Sequence, residues 1–271
     1  MIASKPFLKW AGGKHKLVSF IASHLPASRR RLIEPFAGSA ALSLALEFDA
    51  YLLNDTNPDL ITLFQTLKNE KQAFIDYVRQ YFTGDHNQEN HFYALREQFN
   101  HSDNLTERAA LFIYLNRHAF NGLCRYNSKG QFNVPFGRYR APYFPEKEMQ
   151  AFIRKSNRIE IQCGDFQTAL QKAGDDDTIY CDPPYVPLSA TASFTAYSKD
   201  SFNLDEQSRL AIAAQETANQ SQGVLISNHD TELTRELYRN AQLAMVSVQR
   251  NIAASGSSRQ KVGELLAIYH A

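Results

Sequence analysis

Short apolar strands alternate with helix-prone segments at both ends of this chain. That alternation, interrupted by a long stretch without strand signals, constrains the fold more than any other feature. Residues 31 to 55 begin it: RLIEPF is short and apolar, GSAALSLALE is helix-prone, and AYLLND is apolar again and closes on an acid. Apolar runs of this length around a helical period read as a βαβ unit. Further strands are expected over 158–163, 178–181, 224–227, 243–248 and 265–269, with a helix over 204–219. Such alternation predicts an α/β fold whose mostly parallel sheet is covered on both faces. The last two strands have no helical pattern between them, so an antiparallel hairpin should close the sheet.

The middle of the chain differs. From about residue 58 to 129 it reads as successive amphipathic helices, in LITLFQTLK, AFIDYVRQYF, FYALREQF and AALFIYLNRHAF. QFNVPFGRYRAPYF then follows, rich in aromatics, Pro and Gly, which predicts a helical insertion ending in a hairpin or ordered loop. A chain of 271 residues has room for one large domain carrying such an insertion. Its three cysteines, Cys124, Cys163 and Cys181, are far apart and form no CxxC, so neither a disulfide framework nor a zinc cluster is expected. With no apolar leader and no run of apolar residues long enough to span a bilayer, the reading is of a soluble, cytoplasmic protein.

Net charge excludes little here. The 29 basic and 28 acidic residues nearly cancel, yet residues 1–33 hold seven basic residues and no acid, and residues 108–145 hold six and no acid. The near-neutral total therefore hides two cationic segments, the kind that meets a polyanion.

Two motifs carry chemistry. EPFAGSA, Glu34 to Ala40, joins the first strand to the following helix. A turn of small residues lets a ligand approach the backbone, and helix amides beyond it favour polar or negative groups, although glycine can also serve such a turn for steric reasons alone. Asp55 ends the next strand, where an acid can accept hydrogen bonds from ribose hydroxyls; the pair points to an adenosyl or dinucleotide cofactor. The second motif is Asp182-Pro183-Pro184-Tyr185 after the apolar strand TIYC. Two prolines lock the backbone and remove two amide donors. The Asp182 carboxylate and Pro183 carbonyl then form a pair of acceptors suited to an exocyclic amino group, and Tyr185 offers a ring to stack on a base. No set of the eight histidines suggests a metal site, and His229 in SNHD reads as a strand end.

FLKWAGGK, EPFAG, the block YLNRHAFNGLCRYNSKGQFNVPFGRYRAPYFP, DPPY, LSATASFTAYSKDSF and VLISNHD occur in that order. Together they closely resemble the Dam-type DNA adenine-N6 methyltransferases, over nearly the whole chain. The resemblance implies a Rossmann-like S-adenosylmethionine-dependent methyltransferase sheet, built from residues 1–57 and 145–271. It also implies an inserted helical DNA-recognition domain, 58–144, ending in a β-hairpin. The implied reaction moves a methyl group from S-adenosylmethionine to N6 of adenine in double-stranded DNA at GATC, by base flipping into the DPPY pocket, with S-adenosylhomocysteine as product and no metal. A monomer suffices for it. Adenine in another context, RNA included, and an inert DNA-binding relative are the alternatives.

Residue by residue, the resemblance places Trp10, Lys14, Phe36, Gly38, Asp55, Asp165, Phe166 and Asp182 at the cofactor. Of these, Trp10 is also a candidate core residue, Lys14 a candidate surface charge and Asp165 an equally good helix N-cap. Asp182, Pro183, Pro184 and Tyr185 would hold the flipped adenine. Arg125 and Lys9 would read guanines, and bidentate arginine to guanine is the commonest specific major-groove contact. Leu123 and Pro135 would touch base edges, Tyr139 would position the strand, and Phe120 with Asn121 would fill the gap left by the extruded base. Arg96, Arg117, Asn127, Asn133 and Arg138 are expected as exposed phosphate anchors. Two departures stand out from the family pattern: Ala40 replaces the second glycine of the FxGxG turn, and Phe120 replaces a tyrosine.

Overall fold

The computed structural model describes residues 5–186, 202–249 and 261–270. LSATASFTAYSKDSF, apart from its final Phe202, lies outside them. Among the described residues seven strands form one sheet: β1 (Arg31–Glu34), β2 (Ala50–Asp55), β3 (Ile159–Cys163), β4 (Asp177–Cys181), β5 (Gly223–His229), β6 (Gln242–Gln249) and β7 (Lys261–His270), in the order β3-β2-β1-β4-β5-β7-β6. β4 pairs in parallel with β1 and β5, while β7 runs antiparallel to both β5 and β6. Thus the strands expected from apolar runs are present, and the last two form the antiparallel closure. The helices are α1 (Val18–Ala22), α2 (Ala41–Ala45), α3 (Pro58–Glu70), α4 (Gln72–Arg79), α5 (Glu89–His101), α6 (Leu105–His118), α7 (Glu146–Lys155), α8 (Phe166–Leu170), α9 (Leu204–Ala218) and α10 (Glu232–Leu237).

The chain divides into two compact units. One comprises Met1–Ser19, Ala37–Glu47 and Leu53–Cys163; the other comprises Phe20–Phe36, Phe48–Leu52 and Gly164–Ala271. In the first, α6 packs against α3, α4 and α5, and every residue from Ala109 to His118 is buried. A helix apolar nearly all round belongs inside such a bundle. Pro58 at the first helical position and Asn57 at the cap start α3, the Asn57 side chain accepting from the Asp59 and Leu60 amides. Phe7, Phe64 and Phe152 lock together, with centroids 5.4 to 5.9 Å apart. After α6 the chain makes an ordered loop rather than continuous strands: its hairpin path is held by two isolated antiparallel bridges, Ala119 to Phe136 and Tyr126 to Phe132.

The second unit has its core on the sheet. β4 and β5 are buried at every position, as strands covered on both faces must be. Ile33, Leu52, Ile179, Val224 and Ile226 meet Leu210 and Ala214 of α9 and Phe166 and Leu170 of α8. The strand order reverses between β1 and β4, and in open α/β sheets ligands bind outside the carboxyl ends of strands at that reversal. Phe36 follows β1 there, and Asp182 follows β4.

Candidate active site

In the first unit, the turn after β1 has been shaped around Trp10. Gly38 has a φ of +46°, and a Cβ on it would lie 2.7 Å from Trp10 Nε1, so the indole occupies space that only glycine leaves. The Gly38 amide donates to Asp55 Oδ2 at 2.9 Å, and the Asn57 amide donates to Asp55 Oδ1 at 3.0 Å. Burial raises the Asp55 pKa above the ordinary carboxylate value, although these amides pull it down. Lys14, which sequence left open as a surface charge, is only 4% exposed and its ammonium donates to the Gly12 carbonyl. Trp10 is half-buried beside Gly38 rather than lost in the core. Ala40 stands at φ +53°, in the left-handed region, which accounts physically for a glycine in the family pattern.

In the second unit, a fully buried β4 delivers Asp182 at its carboxyl end. Gln207 donates to the Pro184 carbonyl at 2.7 Å, whereas among the described residues none donates to that of Pro183. The turn is fastened beyond the motif as well. Asn228 Oδ1 accepts from the Val186 amide at 3.1 Å, and His229 Nδ1 lies 2.7 Å from the Val186 carbonyl. Tyr185 packs edge-on against His229, centroids 4.6 Å apart, and its hydroxyl donates to Glu264 Oε2 at 3.1 Å. Burial first, then the Asp182 charge, pushes the Tyr185 phenol far above its usual pKa, keeping it a neutral donor. Phe36 stacks on Phe166 at 5.4 Å, with Phe202 edge-on to both. Asp165 caps α8 through the Gln167 amide and pairs with Arg209, which holds its carboxyl below the usual range and whose guanidinium lies 4.1 Å over the Phe166 ring.

The residues expected at DNA all fall in the first unit, and several meet. Lys9 Nζ lies 3.8 Å over the Tyr139 ring and donates to the Arg117 carbonyl, while the Lys9 amide donates to Asn116 Oδ1 at 2.8 Å. A Cβ on Gly122 would fall 2.4 Å from the Lys9 side chain, and Asn121 takes φ +54° just before it. The Phe120 amide donates to the Pro135 carbonyl, leaving the Phe120 ring 50% exposed. Arg125 is exposed and donates to Asn133 Oδ1 at 2.8 Å. Arg138 is exposed and pairs with Glu89, and Arg96 donates to the Val134 carbonyl. Asn127 closes the loop's turn with Gln131, and Leu123 is half-buried, its amide donating to the Phe120 carbonyl.

A family description, D12 class N6 adenine-specific DNA methyltransferase, matches residues 10–252. The chain belongs to that family. It is therefore an adenine-specific DNA methyltransferase, and membership implies S-adenosylmethionine as methyl donor and DNA as substrate. DNA adenine methylase of Vibrio cholerae is 48% identical over 270 residues, 99% of this chain and 97% of that protein. The Serratia marcescens enzyme of the same name is 49% identical, covering 99% of this chain and all of its own, and that of Escherichia coli K12 is 46% identical, covering 99% and 96%.

For this methyltransferase one expectation of exposure is corrected. Arg117 is only 8% exposed, because the end of α6 is packed on all sides; burial lowers its pKa, and its guanidinium sits 5.2 Å over the Tyr143 ring. Sequence reasoning missed Gln207, Asn228 and Glu264, which fasten the DPPY turn; Asn228 was within reach, since it stands in the quoted VLISNHD. Among the described residues no group of His, Cys, Asp or Glu is placed to hold a metal, and no helix is long and apolar enough to cross a membrane.

Proposed function

We propose that this methyltransferase modifies adenine N6 at GATC in double-stranded DNA, taking the flipped base into the DPPY turn. The observation that carries the N6 acceptor is the turn after β4, where two prolines follow Asp182 and Gln207 donates to the Pro184 carbonyl at 2.7 Å. An amine conjugated to a purine is a poor nucleophile. Hydrogen bonds from N6 to the Asp182 carboxylate and the Pro183 carbonyl push the nitrogen toward sp3 character and free its lone pair. S-adenosylmethionine supplies the electrophilic methyl group. With the donor bound, the N6–methyl bond would form as the methyl–sulfur bond breaks, S-adenosylhomocysteine would leave, and one N6 proton would pass along its hydrogen bond to the Asp182 carboxylate. Tyr185, held by His229 and Glu264, offers its ring to the flipped adenine.

The chain's residues fit the methyl donor in kind. Trp10 over the glycine turn and the buried Lys14 ammonium suit the methionine moiety with its carboxylate, and Asp55 suits the ribose hydroxyls. In the second unit, Phe36 and Phe166 form an aromatic pair suited to adenine, and Asp165 and Asp182 are the acids proposed for the cofactor. Residues 58–144 act as the target-recognition domain. There Arg125 reads one guanine, with Lys9 of the N-terminal segment reading another; Phe120 and Asn121 fill the vacated stack, Leu123, Pro135 and Tyr139 contact the bases and strand, and Arg96, Asn127, Asn133 and Arg138 anchor phosphates. Arg117 joins them only by supporting Lys9. The enzyme works as a cytoplasmic monomer.

Asp182→Ala separates this reading from an inert DNA-binding relative. Labelled-methyl transfer should vanish while duplex affinity, read by fluorescence anisotropy, stays within a few fold. Turnover retained by the variant would remove Asp182 as the N6 acceptor.

A further inference from the structure

The loop after α6 has little ladder of its own, yet one of its arginines is asked to meet a guanine edge within about 0.5 Å. What holds it there lies underneath. In extended antiparallel backbone, successive side chains point to opposite faces. Around the Tyr126 to Phe132 bridge they do so: Phe132 is 2% exposed and meets the Tyr126 ring edge-on at 5.9 Å, whereas Arg125 and its partner Asn133 turn outward. The Tyr126 hydroxyl reaches down and donates to Asp59 Oδ2 at 2.7 Å. Asp59 cannot swing away, because Arg108 of α6 grips its other oxygen through Nη2 at 2.6 Å and Nε at 3.2 Å. On the other flank of Arg125, Cys124 Sγ lies 3.7 Å from Asn57 Nδ2, and Asn57 is the cap of α3. Both neighbours of Arg125 are therefore tied to the same helical start, two residues apart. Burial raises the Tyr126 phenol well above its ordinary pKa, so it acts as a donor to Asp59.

We infer that Asp59 and Tyr126 are positioning residues for target specificity: their hydrogen bond sets the loop that presents Arg125, and so sharpens discrimination at the guanine Arg125 reads. The inference rests on the proposed guanine contact of Arg125. A phenylalanine at 126 keeps the ring packing on Phe132 and removes only the hydroxyl, which separates positioning from folding.

The test measures kcat/KM on a GATC duplex and on duplexes with one guanine replaced, for the wild type, Tyr126→Phe, Arg125→Ala and the double variant. Tyr126→Phe should lose about tenfold of the discrimination at one guanine, equivalent to about 1.4 kcal/mol. Its melting temperature and its S-adenosylmethionine affinity by calorimetry should stay near wild type. If Tyr126 acts through Arg125, adding Tyr126→Phe to Arg125→Ala should change discrimination by less than about twofold. Full wild-type discrimination in Tyr126→Phe, or the same loss in both backgrounds, overturns the inference alone. A wild type indifferent to both guanines overturns the reading of Arg125 and the inference with it.

Discussion

At the scale of single residues, the glycine turn after β1 is where sequence and geometry meet most closely. Gly38 and Asp55 were legible as a pair because a small-residue turn and a strand-end acid stand at cofactor-binding spacing. That the Gly38 amide bonds Asp55 directly, and that the missing Cβ makes room for Trp10, depends on tertiary packing that no local pattern encodes. Asp165 shows the same limit: the letters GDF allow a helix cap or a ligand contact, and the pairing with Arg209, 44 positions away, was invisible. We predict that Gly38→Ala destabilises the enzyme by about 1–2 kcal/mol, from its left-handed φ alone. Displacement of Trp10 should further weaken S-adenosylmethionine binding by an order of magnitude or more. Calorimetric titration checks this, and affinity equal to wild type would remove Trp10 from the cofactor.

At the scale of elements, continuous apolar runs made β4 and β5 readable, since a strand buried on both faces has no polar alternation to confuse it. α6 misled in the other direction. Arg117 near its end is expected at the surface, but it is buried together with Asn116 and His118 because the helix is enclosed by α3, α4 and α5. His118 stacks on Tyr114 at 4.0 Å, and burial pushes its pKa down to about 4 from 6.5. The unfolded chain then binds a proton between those values that the native state refuses. Stability should therefore fall as pH drops through that window, by about 2 kcal/mol between pH 7 and 5 from this residue. Urea unfolding at the two pH values measures it. His118→Gln should lose less between them than wild type; an equal loss would assign the acid sensitivity elsewhere.

At the scale of the whole molecule, near-zero net charge conceals an uneven distribution, and the structure refines it. Among the basic residues of the two cationic segments, Arg31 is taken by Asp177 and Arg108 by Asp59. Lys9, Arg125 and Arg138 remain within reach of solvent in the first unit, alongside the exposed Phe120. Architecture was legible from alternation, and the helical insertion from its helical period. The way the loop beyond α6 is fastened was not, because its ties run to Asn57, Asp59 and Asn100, far away in sequence. The central claim joins these scales: an insertion that reads GATC and a turn that presents adenine N6 for methylation. Incubating the purified enzyme with labelled S-adenosylmethionine and duplexes carrying GATC or a scrambled site, then mapping the product nucleoside, tests it most directly. The account predicts label on N6-methyladenine within GATC and little on the scrambled duplex; equal labelling of both, or label on any other atom, would contradict it.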